Sequence, residues 1–84
     1  MEFKAGDIIE DILSLSSYGE FKYCIFKKIE GDKLWGYWAT TLDMILHNKH
    51  LPLLYAFYNP EQFKLYVHKT NWRKKLETNT KTNP

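Results

Sequence analysis

The strongest structural signal in the sequence lies in residues 21–39, which read FKYCIFKKIEGDKLWGYWA. Two runs rich in aromatic and β-branched residues flank the pair Gly31-Asp32, a pattern typical of a β-hairpin. Gly31 can adopt the positive φ that a tight hairpin turn requires. The pattern therefore predicts two antiparallel strands joined by a loop at Gly31-Asp32.

With Gly31-Asp32 as the loop, Glu30 faces Lys33, and pairing continues one residue at a time away from the turn. The turn therefore also predicts the register of this hairpin. The predicted pairs are Ile29 with Leu34, Lys28 with Trp35, Phe26 with Tyr37, and Ile25 with Trp38. We interpret one face as core, formed by Tyr23, Ile25, Ile29, Leu34 and Trp38. The other face carries Cys24, Phe26, Lys28, Trp35 and Tyr37.

A second hairpin is predicted from strands at residues 53–58 and 63–68, with Pro60 in the intervening turn. Between the hairpins, residues 41–49 show a short helical pattern that Pro52 ends. Thr40 and Asp43 have the spacing of a helix N-terminal cap.

Residues 7–15 fit two structures, either a capped helix or a strand that follows a turn at Gly6-Asp7. We favour the strand. The predicted fold is then mainly β (α+β): a small antiparallel five-stranded, barrel-like sheet with one short helix between the two hairpins. This domain spans residues 1–69, and residues 70–84 form a basic, partly disordered tail.

The order of elements also resembles known small domains. Phe3, Gly6-Asp7 and Ile9, followed by a loop at 14–19 and a hairpin, resemble the opening of Src-homology-3-like or KOW-type barrels. The segment from Gly31 to Ala39 before a short helix is similar to small uncharacterised phage proteins. The resemblance covers about residues 3–50 and bears on fold more than on function, because one fold hosts many functions.

The composition predicts a small protein of the cytoplasm, or of the host cytoplasm if a phage encodes it. The chain has 84 residues and one cysteine, so it cannot be a disulfide scaffold. No apolar run approaches the roughly 20 residues of a membrane span. Aromatic residues make up 17% of the chain, enough to serve both a small core and a contact surface.

No catalytic motif is apparent, and we expect no enzyme activity, no cofactor and no metal. Cys24 could meet a histidine only if the fold brought them together, and nothing local supports a nucleophilic site. His47 and His50 have helical spacing and Asp43 lies one turn earlier, but two histidines fall short of a zinc site. We interpret all three histidines, including His68, as surface residues.

Two functions from different classes remain open. The first is a non-enzymatic, protein-binding module, such as a small phage-type effector that blocks or recruits a host protein through an aromatic face. That face would comprise Phe26, Lys28, Trp35 and Tyr37, unless another element of the fold covers it. The alternative is a nucleic-acid-binding small barrel, which would use the basic tail residues Lys69, Trp72, Arg73, Lys74 and Lys75.

Overall fold

The computed structural model describes residues 3–13, 21–47, 50–71 and 74. Five strands form one antiparallel sheet: β1 (Ile8–Asp11), β2 (Tyr23–Glu30), β3 (Lys33–Ala39), β4 (Leu53–Phe57) and β5 (Phe63–Val67). One short helix, α1 (Leu42–Leu46), connects β3 to β4, and a 3-10 turn (Lys69–Asn71) follows β5. The predicted mainly β fold is confirmed, including the strand at the start of the chain.

The strand order is β4-β3-β2-β1-β5, so β4 and β5 are the two edges of the sheet. The predicted second hairpin is therefore wrong, because β4 pairs with β3 and β5 pairs with β1. The turn signal at Pro60 is real, but it joins opposite edges of a curved sheet instead of neighbouring strands. The sheet is not closed, and "barrel-like" describes only its curvature.

The sheet curls strongly around its inner face. The rings of Trp38 on β3 and Phe63 on β5 have centroids 6.1 Å apart, although β2 and β1 lie between these strands. Three steps of about 4.8 Å would separate them by about 14 Å in a flat sheet. Phe63 also stacks on Tyr58, which directly follows β4, with ring centroids 6.3 Å apart. Aromatic contacts across the concave side therefore bring the end of β4 near the start of β5, although these two strands do not pair.

The core has two layers, one on each side of the sheet. The larger layer fills the concave inner face and consists of Ile9, Cys24, Phe26, Leu34, Trp38, Ala56 and Phe63. The smaller layer lies on the outer face, where α1 packs, and consists of Ile8, Ala39, Ile45 and Val67. The adjacent residues Ile8 and Ile9 are both fully buried, because both sides of β1 are covered.

A β-bulge at Lys27 changes the register of the first hairpin. Pairing follows the prediction from the turn as far as Lys28 with Trp35, but Phe26 then faces Gly36 and Ile25 faces Tyr37. The predicted pairs Phe26–Tyr37 and Ile25–Trp38 are therefore wrong. One extra residue moves the preceding part of a strand to the opposite face. Cys24 and Phe26 consequently lie in the inner core, whereas Tyr23 and Ile25 lie on the outer side.

Two turn predictions are confirmed. Gly31 has φ +64° in the hairpin loop, as the sequence predicts. Gly6 has φ +96°, and the Asp7 amide donates to the Lys4 carbonyl at 2.9 Å to close the turn before β1. This geometry starts β1 at Ile8 and positions Asp7 beneath the end of β5.

The helix α1 is shorter than the predicted 41–49, and the structure describes neither residue 48 nor residue 49. Its N-cap is Thr41 instead of Thr40, because the Thr41 hydroxyl accepts a hydrogen bond from the Met44 amide at 3.3 Å. Ile45 is buried against the outer face of the sheet. Within the described part of the chain, no helix is both long and apolar enough to cross a membrane.

Candidate partner-binding face

Part of the outer side of the sheet carries large side chains that α1 leaves uncovered. We call it the outer aromatic face; it consists of Lys28 on β2, Lys33, Trp35 and Tyr37 on β3, and Leu53, Tyr55 and Phe57 on β4. Phe57 is 62% exposed, Leu53 43% and Tyr37 36%. Ile45 of α1 packs in a cluster with Ile8, Ala39 and Val67, and no residue of the outer aromatic face belongs to that cluster.

The register places these side chains in adjoining rows across the strands. Lys28, Trp35 and Tyr55 form one row, while Phe57 faces Lys33 and Leu53 faces Tyr37. The rings of Trp35 and Tyr55 have centroids 5.2 Å apart, and those of Tyr55 and Phe57 are 5.8 Å apart. Trp35, Tyr55 and Phe57 are therefore three successive contacting rings on the paired strands β3 and β4.

Positive charge borders the rings. The Lys33 Nζ atom lies 4.7 Å from the centroid of the Tyr55 ring, which is a favourable cation–π distance. The Lys28 Nζ atom lies 3.5 Å from the Glu30 carboxylate, in an exposed ion pair that contributes little to stability. Both lysines lie on the same side of the sheet as Trp35. A ligand with apolar and acidic groups would match this face.

The two tryptophans of β3 differ in hydrogen bonding. The Trp38 indole lies in the inner core and donates from Nε1 to the Leu54 carbonyl at 3.2 Å. The Trp35 indole lies on the outer aromatic face, and its Nε1 atom is buried without a hydrogen-bond partner among the described residues. A buried N–H without an acceptor costs about 1–3 kcal/mol. The outer aromatic face thus contains an indole N–H that has no acceptor among the described residues.

The structure brings together three of the four predicted contact residues, Lys28, Trp35 and Tyr37. The fourth, Phe26, is 6% exposed and packs in the inner core, because the bulge at Lys27 turns it to the other side. Sequence reasoning missed Leu53, Tyr55 and Phe57, since it paired the fourth strand with the fifth. The β4 sequence LLYAF is apolar throughout, so side-chain alternation does not show which of its residues face solvent, and only the strand order assigns them to the outer side.

The buried carboxylate of Asp7 links the turn before β1 to the chain that follows β5. The Asp7 side chain accepts hydrogen bonds from the amides of Lys4 and Lys69, each at 2.9 Å, and lies 3.2 Å from Nδ1 of His68. Burial raises the pKa of Asp7, but the two amide hydrogen bonds and His68 outweigh this effect, so the pKa lies below its ordinary value. Asp7 is therefore an ionised clamp between the opening turn and the chain that follows β5.

The described histidines and Cys24 do not meet. The His47 Nε2 atom lies 3.1 Å from the Asp43 carboxylate, His68 lies beside Asp7, and His50 is exposed. Cys24 is fully buried in the inner core. Among the residues with described positions, no group of three or more His, Cys, Asp or Glu could hold a metal ion.

The buried position of Cys24 leads to a chemical prediction. Burial raises the pKa of its thiol far above the ordinary value, and only the thiolate reacts with disulfide reagents. We expect no reaction of the folded protein with dithionitrobenzoate over an hour at pH 8, and one equivalent of released thionitrobenzoate in denaturant. Rapid stoichiometric release from the folded protein would contradict this burial.

Most of the predicted tail lies outside the described residues. This applies to Trp72, Arg73 and Lys75 of the nucleic-acid prediction. Lys74 is described and exposed, and Lys69 belongs to the 3-10 turn, where its aliphatic stem packs over Gly6. The structure therefore positions only the start of the basic segment.

No protein-family model matches this sequence, and no curated protein or solved structure is significantly similar to it.

Proposed function

We propose that this protein is a non-enzymatic binding module that contacts a protein partner through the outer aromatic face. The observation that carries the proposal is the exposure of Tyr37, Leu53 and Phe57 on the side of the sheet where the rings of Trp35, Tyr55 and Phe57 contact one another. A small domain has limited apolar surface to bury, so leaving such side chains uncovered lowers its own stability. Contiguous exposed apolar side chains of this kind usually mark an interaction site.

The chemistry of the face defines the partner. Aromatic residues dominate the energetics of protein interfaces, and Trp and Tyr are the most frequent anchors. The partner would supply aliphatic or aromatic side chains for Phe57 and Tyr37, and an acceptor for the Trp35 indole. Carboxylates at the rim would face Lys28 and Lys33. The more specific role of a phage-type effector that blocks or recruits a host protein stays a prediction.

A photocrosslinking group placed in the outer aromatic face can identify the partner. A photoreactive phenylalanine analogue at position 57 would label whatever protein covers the face in a cell that produces this chain. The same analogue at position 12 is the matched control, because Ile12 is 46% exposed but follows β1, away from the face. A protein other than this chain that is labelled only from position 57 is then purified for affinity measurements.

The affinity measurements test the face directly. We expect Tyr37→Ala and Phe57→Ala each to weaken binding of the purified partner by at least about tenfold, because each removes an exposed anchor. Both variants should retain the stability of the unmodified protein within about 1 kcal/mol, since neither side chain is buried. Isothermal titration calorimetry gives the affinities, and urea denaturation gives the stabilities.

The controls are Ile12→Ala and Leu13→Ala, which remove apolar side chains of 46% and 47% exposure elsewhere on the surface. They should bind like the unmodified protein. Equal affinities for all four variants would show that the outer aromatic face does not contact the partner.

A second candidate function is nucleic-acid binding, which the charge distribution favours. Residues 43–84 carry seven Lys or Arg and three Asp or Glu, a net charge of +4. Backbone phosphates would be contacted from the basic segment, so binding would weaken steeply with salt. Binding of an oligonucleotide that survives the Phe57→Ala change, but is lost at high salt and on deletion of residues 70–84, would favour this candidate over the first.

A further inference from the structure

We propose that β4 is the seam of a homodimer, in which it pairs antiparallel with β4 of a second copy about a two-fold axis at Tyr55. The open edge of β4, its lack of protective residues and its self-complementary sequence support this arrangement. The dimer would join two five-stranded sheets into one. It does not depend on a protein partner of another kind.

The backbone groups of β4 are available at this edge. The Trp38 amide donates to the Pro52 carbonyl at 3.1 Å and the Tyr58 amide donates to the Asp32 carbonyl at 2.8 Å. Because hydrogen-bonded pairs alternate along an antiparallel ladder, Leu54 and Ala56 also direct their backbone groups towards β3. Leu53, Tyr55 and Phe57 therefore direct their N–H and C=O groups outward, away from the sheet.

The edge lacks the features that prevent pairing. Edge strands are commonly protected by Lys, Pro or a bulge. The sequence of β4, LLYAF, contains no charged residue, no Pro and no Gly, and its register with β3 shows no bulge. The opposite edge, β5, differs in carrying the exposed Lys64 and an irregular register with β1. The two edges therefore differ in their tendency to pair, and β4 is the one left open.

The sequence of β4 is complementary to itself about Tyr55. In an antiparallel pair centred there, Tyr55 faces its own copy, and Leu53 faces Phe57 of the other chain. The three pairs would form about six backbone hydrogen bonds. Among the described residues of the outer side, the charged residue nearest to the seam is Lys33. It lies on β3, opposite Phe57 of β4, and is therefore one strand away from the seam. No like charges oppose each other, and apolar side chains meet across the axis.

Pairing would extend the outer aromatic face instead of covering it. The row Lys28, Trp35 and Tyr55 would continue into the same row of the second copy, so that four aromatic rings lie side by side. Strand addition leaves the faces of a sheet exposed. The dimer is thus compatible with a partner that binds the face.

A cysteine at the axis tests the pairing. Facing residues of a hydrogen-bonded antiparallel pair have Cα atoms about 5.5 Å apart, which suits a disulfide. We expect Tyr55→Cys to form a covalent dimer under mild oxidation, with the fully buried Cys24 left unmodified. The control Lys64→Cys, exposed on β5, should stay largely monomeric on a non-reducing gel. Equal dimer yields from both variants, or none from Tyr55→Cys, would overturn the proposal.

Charged substitutions at Leu53 and Phe57 give a second test of the β4–β4 register that introduces no cysteine. The double variant Leu53→Lys with Phe57→Glu places opposite charges across the seam, whereas Leu53→Glu with Phe57→Glu places like charges there, and both put the same carboxylate opposite Lys33 within the chain. Sedimentation of the unmodified chain should show a concentration-dependent dimer between roughly 0.01 and 1 mM. The first variant should keep it and the second should lose it. A monomer throughout this range, or equal association of the two variants, would contradict the pairing.

Discussion

Replacing Gly36 with alanine is expected to destabilise the protein by at least about 3 kcal/mol, a large part of the stability of a domain this size. A Cβ atom at this position would overlap the Cys24 Sγ atom and would lie 2.6 Å from the Ile25 carbonyl oxygen. The second contact is with backbone of the paired strand, so no side-chain rotation can relieve it. Urea denaturation of the Gly36→Ala variant measures the loss.

Two further substitutions separate the causes of this effect. Cys24→Ala combined with Gly36→Ala removes the contact with sulfur but keeps the contact with Ile25, so it should restore only part of the stability. Gly31→Ala is the matched control, because a Cβ at Gly31 meets nothing within 4 Å and φ +64° is its only cost. We expect that variant to lose about 1 kcal/mol. A Gly36→Ala variant as stable as Gly31→Ala would mean that β2 and β3 do not approach as described.

Asp7→Ala is expected to destabilise the protein by about 3 kcal/mol, because it leaves the Lys4 and Lys69 amides without their acceptor. Asp7→Asn keeps one carbonyl oxygen and should cost less, about 1–2 kcal/mol. His68→Ala, which removes only the exposed third partner, should have a small effect. Equal stability of Asp7→Ala and the unmodified protein would show that the clamp does not hold the opening turn to the end of β5.

The same carboxylate predicts a pH dependence. Since the pKa of Asp7 is lower in the folded protein than in the unfolded chain, its ionisation stabilises the fold above the unfolded pKa of about 3.9. That contribution is lost as the pH falls through the lower folded pKa. The free energy of unfolding should therefore decrease below about pH 4 more steeply in the unmodified protein than in Asp7→Asn. Parallel pH profiles of the two proteins would contradict this assignment.

Local signals in the sequence predict local structure well in this protein. The first hairpin, its turn at Gly31, the strand at residues 8–11 and the short helix before Pro52 all depend on neighbouring residues, and all are present. The bulge at Lys27 is not visible in the alternation of side chains, because an extra residue changes the face without changing the composition. Gly36 opposite Phe26 is the one residue that could have indicated it.

Strand order was the harder part to predict. Residues 53–58 and 63–68 carry the pattern of a hairpin, yet tertiary packing places their strands at opposite edges. Contacts such as Trp38 with Phe63, which are distant in sequence, determine that arrangement. The same holds for the outer aromatic face. The hairpin turn predicts that Trp35 and Tyr37 share a face, but Leu53 and Phe57 can be assigned to it only when β4 is known to lie beside β3.

The proposed binding surface is tested most directly by the tryptophan indole signals in a ¹⁵N-edited NMR titration with the purified partner. Single Trp→Phe variants assign the three signals to Trp35 on the outer aromatic face, Trp38 in the inner core and Trp72 in the basic segment. Our proposal predicts that the Trp35 signal shifts or broadens as partner is added, while the Trp38 signal stays in place. A shift confined to Trp72, with Trp35 unchanged at saturation, would contradict it.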